Sequence, residues 1–275
     1  MMACGILATA AGVTNAQQNQ TPAPPHVSVQ LIAERSAISP GHSIWAGLQF
    51  QFPQGWHVYW QNPGDSGEPP KVQWNLPSGF HAGALQWPVP QRLASSASVV
   101  DYGYTDGVVL LAQLAAPANA QPGGTVSFGA GVHYLVCREI CVPGKASVVL
   151  NLPVQAEQAA FDLGAHAIFE KTREQLPVAA PAAWKIHAQS RGNTFVLSIA
   201  TGKSERQGVF FPLDPGEIEN AAPQDAVATP DGIEFHLQKS DELLKPIARL
   251  RGVVELAGPR AYIVSAPVTQ SGASR

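Results

Sequence analysis

Charged side chains are scarce in this sequence of 275 residues, because Asp, Glu, Lys and Arg together make up only 13% of it. Globular proteins carry roughly 25% charged residues, and long surface helices depend on Lys and Glu for their exposed faces. The scarcity therefore disfavours a mainly helical fold. The formal net charge is −3 and no basic stripe is present, which argues against nucleic acid as a partner.

Long apolar runs and cysteines are also few. After the N-terminus, no stretch approaches the roughly eighteen consecutive apolar residues that a membrane-spanning helix needs. Residues 1–16, MMACGILATAAGVTNA, are small and apolar and predict the end of a secretory signal peptide, with cleavage after Ala16. Cleavage would remove Cys4. The exported chain would then keep only Cys137 and Cys141, an even pair that suits disulfide chemistry in an oxidising compartment.

Chain breakers are abundant instead, with 25 glycines and 24 prolines. Between them lie short segments in which apolar and polar residues alternate, as they do in half-buried strands. These segments recur at the intervals of antiparallel β-sandwiches over residues 26–155 and again over 184–268. Residues 156–183 differ, because they carry helical spacing and charge up to Pro177. We therefore predict an all-β protein with two β-sandwich domains joined by this short helical linker, and a polar tail at 269–275.

The first predicted domain contains the segment VHYLVCREICVPGKASVVLNL. Apolar β-branched residues flank a short polar turn, which predicts a hairpin with Cys137 and Cys141 on its two shoulders. Pro143-Gly144 is expected to close the returning strand. Within the turn, Arg138 would lower the pKa of a neighbouring thiol and Glu139 would raise it. The simpler interpretation is that both charges only solvate the turn.

Two cysteines at this spacing admit three interpretations. A structural disulfide would close a ring of about five residues, which removes about 2 kcal/mol of unfolded-state entropy against about 3 kcal/mol for fifteen residues. Because short rings are often strained and exchange readily, a redox-active pair is favoured. A metal site is the third interpretation, since His133, Cys137 and Cys141 would line one face of a helix and suit copper(I) or zinc. The β-branched flanks argue against that helix.

Four motifs occur in order along the first domain: GWHVYWQNPGDSGEPPKVQW, LQWPVPQRL, DYGYTDGVVLL and YLVCREICVPG. Together they resemble the periplasmic N-terminal region of DsbD-type thiol:disulfide interchange proteins, in particular the ScsB-like branch, whose N-terminal region is longer. The resemblance covers residues 27–155 through specific motifs and 184–268 more loosely. It implies immunoglobulin-like sandwiches and a cysteine pair that cycles between dithiol and disulfide without a cofactor, as a protein-disulfide reductase does.

The resemblance also implies roles for individual residues. Cys141 would form the mixed disulfide with a partner protein, and Cys137 would resolve it. In DsbD a cap loop shields the pair. By order along the chain, the counterpart of this loop consists of Val99, Val100, Asp101, Tyr102, Gly103 and Tyr104. The implied partners are periplasmic thioredoxin-fold proteins, and the implied electron donor is a membrane and thioredoxin-like component of the DsbD type.

The sequence departs from the family pattern in two ways. Three residues separate the cysteines, fewer than in DsbD itself but in keeping with the ScsB-like branch. The sequence contains no counterpart of the membrane and thioredoxin-like parts. We therefore expect either a fragment that is membrane-associated through a missing C-terminal part, or a stand-alone protein that borrows an electron donor. The alternative function is a periplasmic binding module for copper or a protein, with the cysteines locked in a structural disulfide. A carbohydrate site at Trp56, Trp60, Trp74 and Asp65 is weaker, because core packing explains the tryptophans.

Overall fold

The computed structural model describes residues 26–270, so the predicted signal peptide with Cys4 and the last five residues lie outside it. Strands dominate the described part. The first ten are β1 (Ser28–Ala33), β2 (Ser43–Gln51), β3 (His57–Gly64), β4 (Lys71–Asn75), β5 (His81–Ala82), β6 (Gln91–Ser96), β7 (Val99–Thr105), β8 (Val108–Ala115), β9 (Thr125–Cys137) and β10 (Cys141–Pro153). Helix α1 (Leu163–Gln175) follows, and then β11 (Val178–Ala179), β12 (Lys185–Arg191), β13 (Thr194–Ala200), β14 (Gly208–Pro212), β15 (Asp225–Ala228), β16 (Gly232–Gln238), β17 (Arg249–Leu256) and β18 (Ala261–Gln270). Within these described residues, no helix is long and apolar enough to cross a bilayer.

Strands β1 to β10 form two antiparallel sheets that pack against each other. One sheet has the order β1-β2-β8-β5, and the other has the order β10-β9-β3-β7-β6 with β4 paired to β9. Alternate residues of each strand point inward, so Phe50 and Leu110 from the first sheet meet Trp60 and Phe128 from the second in one buried cluster. These antiparallel strands with one buried face form the first predicted sandwich.

The hairpin of β9 and β10 is confirmed, although Pro143 and Gly144 do not close it. Both residues lie inside β10, paired with Leu135 and Tyr134 of β9. A proline is tolerated there because β10 is at the edge of its sheet and no further strand needs its missing N–H. The glycine is required by its neighbour, since an added Cβ would lie 2.3 Å from the Tyr134 ring.

Helix α1 begins after Asp162, whose side chain accepts a hydrogen bond of 2.9 Å from the backbone N–H of Ala165. This N-cap satisfies one of the free N–H groups of the first turn. The helix ends at Gln175, two residues before Pro177, which cannot continue it. The helix is thus shorter than the predicted linker of residues 156–183, because the Asp162 cap sets its first turn.

The helix is fastened to the first sandwich by one aromatic side chain and one buried carboxylate. Phe169 is fully buried and lies against Gly47 of β2. Glu34 accepts hydrogen bonds of 2.6 and 2.7 Å from Arg173 and lies 2.8 Å from His166 Nδ1. Burial alone would raise the pKa of Glu34, but the bonds from Arg173 and His166 outweigh burial and lower it.

Strands β11 to β18 form the second sandwich, which continues in the order β14-β17-β18-β12-β13-β16-β15 with β11 beside β18. One half of this sandwich contains β11, β14 and β17, and the other contains β12, β13, β15 and β16. Strand β18 belongs to both halves, because residues 261–267 pair with β17 and residues 268–270 pair in parallel with β12. Phe195, Phe210 and Phe235 fill the core between the halves. The predicted all-β architecture of two sandwiches with a helix between them is confirmed within residues 26–270.

The two sandwiches meet through aromatic rings. Phe211 of β14 lies edge-on to Trp60 and Tyr102 of the first sandwich, with ring centroids 6.3 and 5.6 Å away. Beside these rings, Asn62 Nδ2 donates a 2.8 Å hydrogen bond to the carbonyl oxygen of Pro212. Both kinds of contact are buried, so the second sandwich is packed onto the sheet that carries β3 and β7.

Replacing Phe169 with alanine tests how much the helix contributes to stability. Removing a fully buried phenylalanine should lower the free energy of unfolding by about 3 to 5 kcal/mol, measured by urea denaturation. Leu163 is the matched control in the same helix, because it is 83% exposed. Leu163→Ala should change the free energy of unfolding by less than about 0.5 kcal/mol. Equal losses in the two variants would contradict the packing described here.

Candidate functional site

The cysteine site is a row of side chains across three strands. Cys137, the last residue of β9, is paired with Cys141 at the start of β10 and with His57 at the start of β3. Directly opposed residues of antiparallel strands project to the same face, so these three side chains lie side by side. Tyr59, two residues after His57, projects to that face as well. Its neighbour Trp60 points into the core, which places the row on the outer face of the sheet.

Cys137 and Cys141 are joined in a disulfide whose Cα atoms are 4.1 Å apart. The predicted disulfide reach is therefore confirmed. The two cysteines differ in their exposure to solvent: Cys137 is 2% exposed, whereas Cys141 belongs to the exposed residues of β10. The difference arises because β9 is flanked by other strands and β10 is an edge strand.

Tyr59 is the polar neighbour of the disulfide. Its hydroxyl donates to Cys137 Sγ at 3.0 Å and lies 3.5 Å from Cys141 Sγ. Burial raises the pKa of Tyr59, a hydrogen bond with Ser66 partly opposes the rise, and the phenol therefore keeps its proton. A donor that points at a sulfur stabilises the thiolate formed when the disulfide opens.

His57 is buried beside this pair and packs its ring edge-on to Tyr59, with centroids 5.2 Å apart. Among residues 26–270, none forms a hydrogen bond with His57 Nε2. Burial lowers the pKa of His57, and the charge of Asp101 offsets only part of this effect. The imidazole is therefore neutral at pH 7. Neither Tyr59 nor His57 was predicted from the sequence, because their closeness to the cysteines comes from strand pairing alone.

Residues 65–70 connect β3 to β4 and cover Tyr59; we call them the β3–β4 loop. Ser66 Oγ lies 3.5 Å from the Tyr59 hydroxyl. Gly67 has a φ of +74°, and a Cβ added to it would lie 2.1 Å from the Tyr59 ring. Only glycine can bring the backbone this close to the ring. The loop therefore holds Tyr59 against the disulfide.

The predicted cap segment takes a different form. Val99 to Tyr104 are part of strand β7, which lies between β3 and β6, and the residues from Val100 onward are buried. At the level of Cys137, strand β3 lies between β9 and β7, because its residue His57 pairs with Cys137 on one side and with Thr105 on the other. The segment is a strand because its side chains are buried on both faces of the sheet. It does not form a loop over the sulfurs, and the residues that lie on Tyr59 belong to the β3–β4 loop.

The two charges predicted to tune the thiols lie in the exposed turn. Arg138 Nε is 3.8 Å from Glu139 Oε1, and the guanidinium lies 5.2 Å from the centre of the Trp56 ring. Their side chains are 45% and 84% exposed, so water screens both charges. Their effect on the thiol pKa values stays a prediction.

The metal and carbohydrate alternatives find no support in the geometry. His133 precedes Cys137 by four residues of a strand, which corresponds to about 13 Å rather than one helix turn. Of the tryptophans, Trp60 is fully buried and Trp56 is 7% exposed. Both carboxylate oxygens of Asp65 accept hydrogen bonds within the protein, from the backbone N–H of Val100 and from Asn220 Nδ2, so the carboxylate is not directed at a sugar site.

Comparison with known proteins identifies the first sandwich. Residues 28–153 match the family model for the N-terminal domain of the thiol:disulfide interchange protein DsbD. These residues form a DsbD-type N-terminal domain. With its Cys137–Cys141 bond, this DsbD-type domain is a thiol:disulfide interchange module.

Among solved structures, the N-terminal periplasmic domain of ScsB from Proteus mirabilis is similar over 89% of this chain and 92% of its own, with a TM-score of 0.64 and 17% identity. At this identity the likeness shows the fold, which is immunoglobulin-like as predicted. The periplasmic chaperone SfaE (7% identity, 90% of this chain and 100% of that chain, TM-score 0.23) is too dissimilar to carry an argument. The same holds for BcpA, the major pilin subunit of Bacillus cereus (9% identity, 90% and 69% covered, TM-score 0.28). No curated protein matches the sequence at a significant level.

Removing the Tyr59 hydroxyl tests its contact with the buried sulfur. A hydrogen bond to a charged group is worth about 1.5 to 3 kcal/mol, so Tyr59→Phe should raise the pKa of the Cys137 thiol by about one to two units. The measurement is thiolate absorbance against pH in a Cys4→Ser, Cys141→Ser background, where Cys137 is the single thiol. Tyr134→Phe is the control, since Tyr134 packs against Phe50. An unchanged thiol pKa in Tyr59→Phe would show that the hydroxyl does not act on the thiolate.

Proposed function

We propose that this chain passes two electrons from its Cys137/Cys141 dithiol to the disulfides of periplasmic thioredoxin-fold proteins. The observation that carries the proposal is the unequal exposure of the two bonded cysteines, since Cys137 is 2% exposed and Cys141 is an exposed residue. Thiol–disulfide exchange depends on which sulfur a thiolate can reach. The family role of Cys141 as the cysteine that meets the partner agrees with this exposure.

The electron transfer takes two exchange steps. First, the Cys141 thiolate attacks one sulfur of the partner disulfide; the partner S–S bond breaks, a mixed disulfide forms, and the second partner sulfur leaves as a thiolate that takes up a proton. Second, the Cys137 thiolate attacks Cys141 Sγ, which closes the internal disulfide and releases the remaining partner sulfur as a thiolate. The domain is oxidised and the partner is reduced by two electrons.

Regeneration runs through the same exposed sulfur. A dithiol of a thioredoxin-like donor attacks Cys141 Sγ, and Cys137 leaves as a thiolate. The Tyr59 hydroxyl, 3.0 Å from Cys137 Sγ, is placed to stabilise that thiolate. The donor's second thiolate then releases Cys141 and leaves the donor oxidised. We propose a membrane-bound DsbD-type component as the source of these electrons.

Trapping of the mixed disulfide tests the proposed roles. In a Cys4→Ser background, reduced Cys137→Ser should accumulate a covalent adduct with an oxidised thioredoxin-fold protein, because no internal thiol remains to release it. In the same Cys4→Ser background, reduced Cys141→Ser should give little adduct, since its one remaining thiol, Cys137, is buried. The adducts are counted on non-reducing gels after quenching with N-ethylmaleimide.

Two outcomes would contradict the proposal. Equal trapping by the two variants would mean that the roles of Cys137 and Cys141 are not separate. No trapping by either, together with a wild-type disulfide that resists mild reductants, would favour a structural disulfide in a binding module.

A further inference from the structure

One side chain of the second sandwich reaches the loop that covers the cysteine site. Asn220 lies between β14 and β15 in the chain and is 6% exposed. Its Nδ2 donates to Asp65 Oδ1 at 2.7 Å, and its Oδ1 accepts from the Tyr102 hydroxyl at 2.9 Å. Burial raises the pKa of Tyr102, so this hydroxyl stays a donor. The two bonds use opposite ends of the amide and therefore fix its orientation.

The Asp65 carboxylate is shared between the two sandwiches. Its Oδ1 is bound by Asn220 of the second sandwich, and its Oδ2 accepts a 2.7 Å bond from the backbone N–H of Val100 in the first. The next residue, Ser66, donates its backbone N–H to Asp101 Oδ1 at 2.9 Å. The Asp65 side chain is thus the anchor that ties the β3–β4 loop to the second sandwich, and the Ser66–Asp101 bond ties the loop to the first.

We propose that Asn220 is a positioning residue for the thiol chemistry. By holding Asp65, it keeps the β3–β4 loop on Tyr59 and so keeps the Tyr59 hydroxyl directed at Cys137 Sγ. Without the Asn220 amide, the loop loses its bond to the second sandwich and the hydroxyl is held less firmly. The Cys137 thiolate is then less stabilised. This inference deepens the proposed function, and it is tested on the protein alone.

The Asn220 side chain can be removed without removing the interface. The backbone carbonyl of Asn220 accepts a bond from Arg92, and Asn62 bonds to the Pro212 carbonyl. Phe211 packs against the aromatic rings of the first sandwich. These contacts do not involve the Asn220 amide. A side-chain substitution therefore tests the link to the loop and leaves the two sandwiches joined.

The test measures the pKa of Cys137 as the single thiol, in the Cys4→Ser, Cys141→Ser background. Asn220→Ala should raise this pKa by roughly half a unit to one unit, at most the rise in Tyr59→Phe. In a Tyr59→Phe background, Asn220→Ala should add nothing, because residues that act through one contact are not additive. Asn151→Ala is the control: Asn151 is an exposed asparagine of β10 that bonds to Ser127, and its loss should leave the pKa unchanged.

The other ionisable groups around Cys137 are the same in all these variants. They are His57 across the strand pair, Arg138 and Glu139 in the turn, and Asp101 beneath the loop. Asn220→Ala also releases the Asp65 carboxylate of the loop. The Tyr59→Phe background separates the two effects, because a shift that acts through the Tyr59 contact disappears there, whereas a shift caused by a moved Asp65 charge persists.

Two results would overturn the inference: an unchanged pKa in Asn220→Ala while Tyr59→Phe shifts it, or an Asn220→Ala shift that persists in the Tyr59→Phe background. If Asn220→Ala does not fold, Tyr102→Phe replaces it. That variant keeps the buried ring and removes the hydroxyl that orients the amide; the same hydroxyl also contacts Arg92, which keeps its bond to the backbone carbonyl of Asn220. It should raise the pKa of Cys137 less, in the same direction. If no adduct is trapped but the Asn220→Ala shift depends on Tyr59 as expected, only the proposed function is contradicted. If the adduct is trapped but the shift does not depend on Tyr59, only this inference is contradicted.

Discussion

The register of three strands is the constraint on which the cysteine site depends. It pairs Cys137 with both Cys141 and His57, and it directs Tyr59 to the same outer face. Because side chains alternate along a strand, a slip of one residue between β9 and β10 would send Cys141 to the opposite face. The bonded pair then could not form with this geometry. Core packing fixes the register, since the residues between these positions fill the sandwich interior.

The same arrangement separates the two sulfurs by environment. The interior strand and Tyr59 cover Cys137, while the edge strand presents Cys141 to solvent. Because Cys141 is exposed and Cys137 is covered, an attacking thiolate is expected to reach the Cys141 sulfur. Cys137 then leaves as a thiolate, with the Tyr59 hydroxyl beside it as a hydrogen-bond donor. The second sandwich contributes through Asn220 and Asp65, which support the loop above Tyr59.

Local patterns were sufficient for the fold and for the hairpin, because alternation and turn residues are encoded along the chain. The prediction that Pro143 closes the returning strand is wrong, because the sequence does not reveal that β10 is an edge strand that tolerates a proline. Tyr59 and His57 were not found, because 78 residues separate Tyr59 from Cys137 in the chain and only strand pairing joins them. The cap segment at Val99 to Tyr104 was placed by chain order, which cannot distinguish a covering loop from the strand beneath it.

The most direct test of the account is competitive alkylation of the reduced wild-type protein with a limiting amount of iodoacetamide. Arg138 lies between the two cysteines, so trypsin places Cys137 and Cys141 on different peptides and mass spectrometry can quantify each. We expect Cys141 to be alkylated about tenfold faster than Cys137 or more, because Cys141 is exposed and Cys137 is buried. Alkylation of Cys137 at an equal or higher rate would contradict the claim that the exposed sulfur is the one that meets the partner.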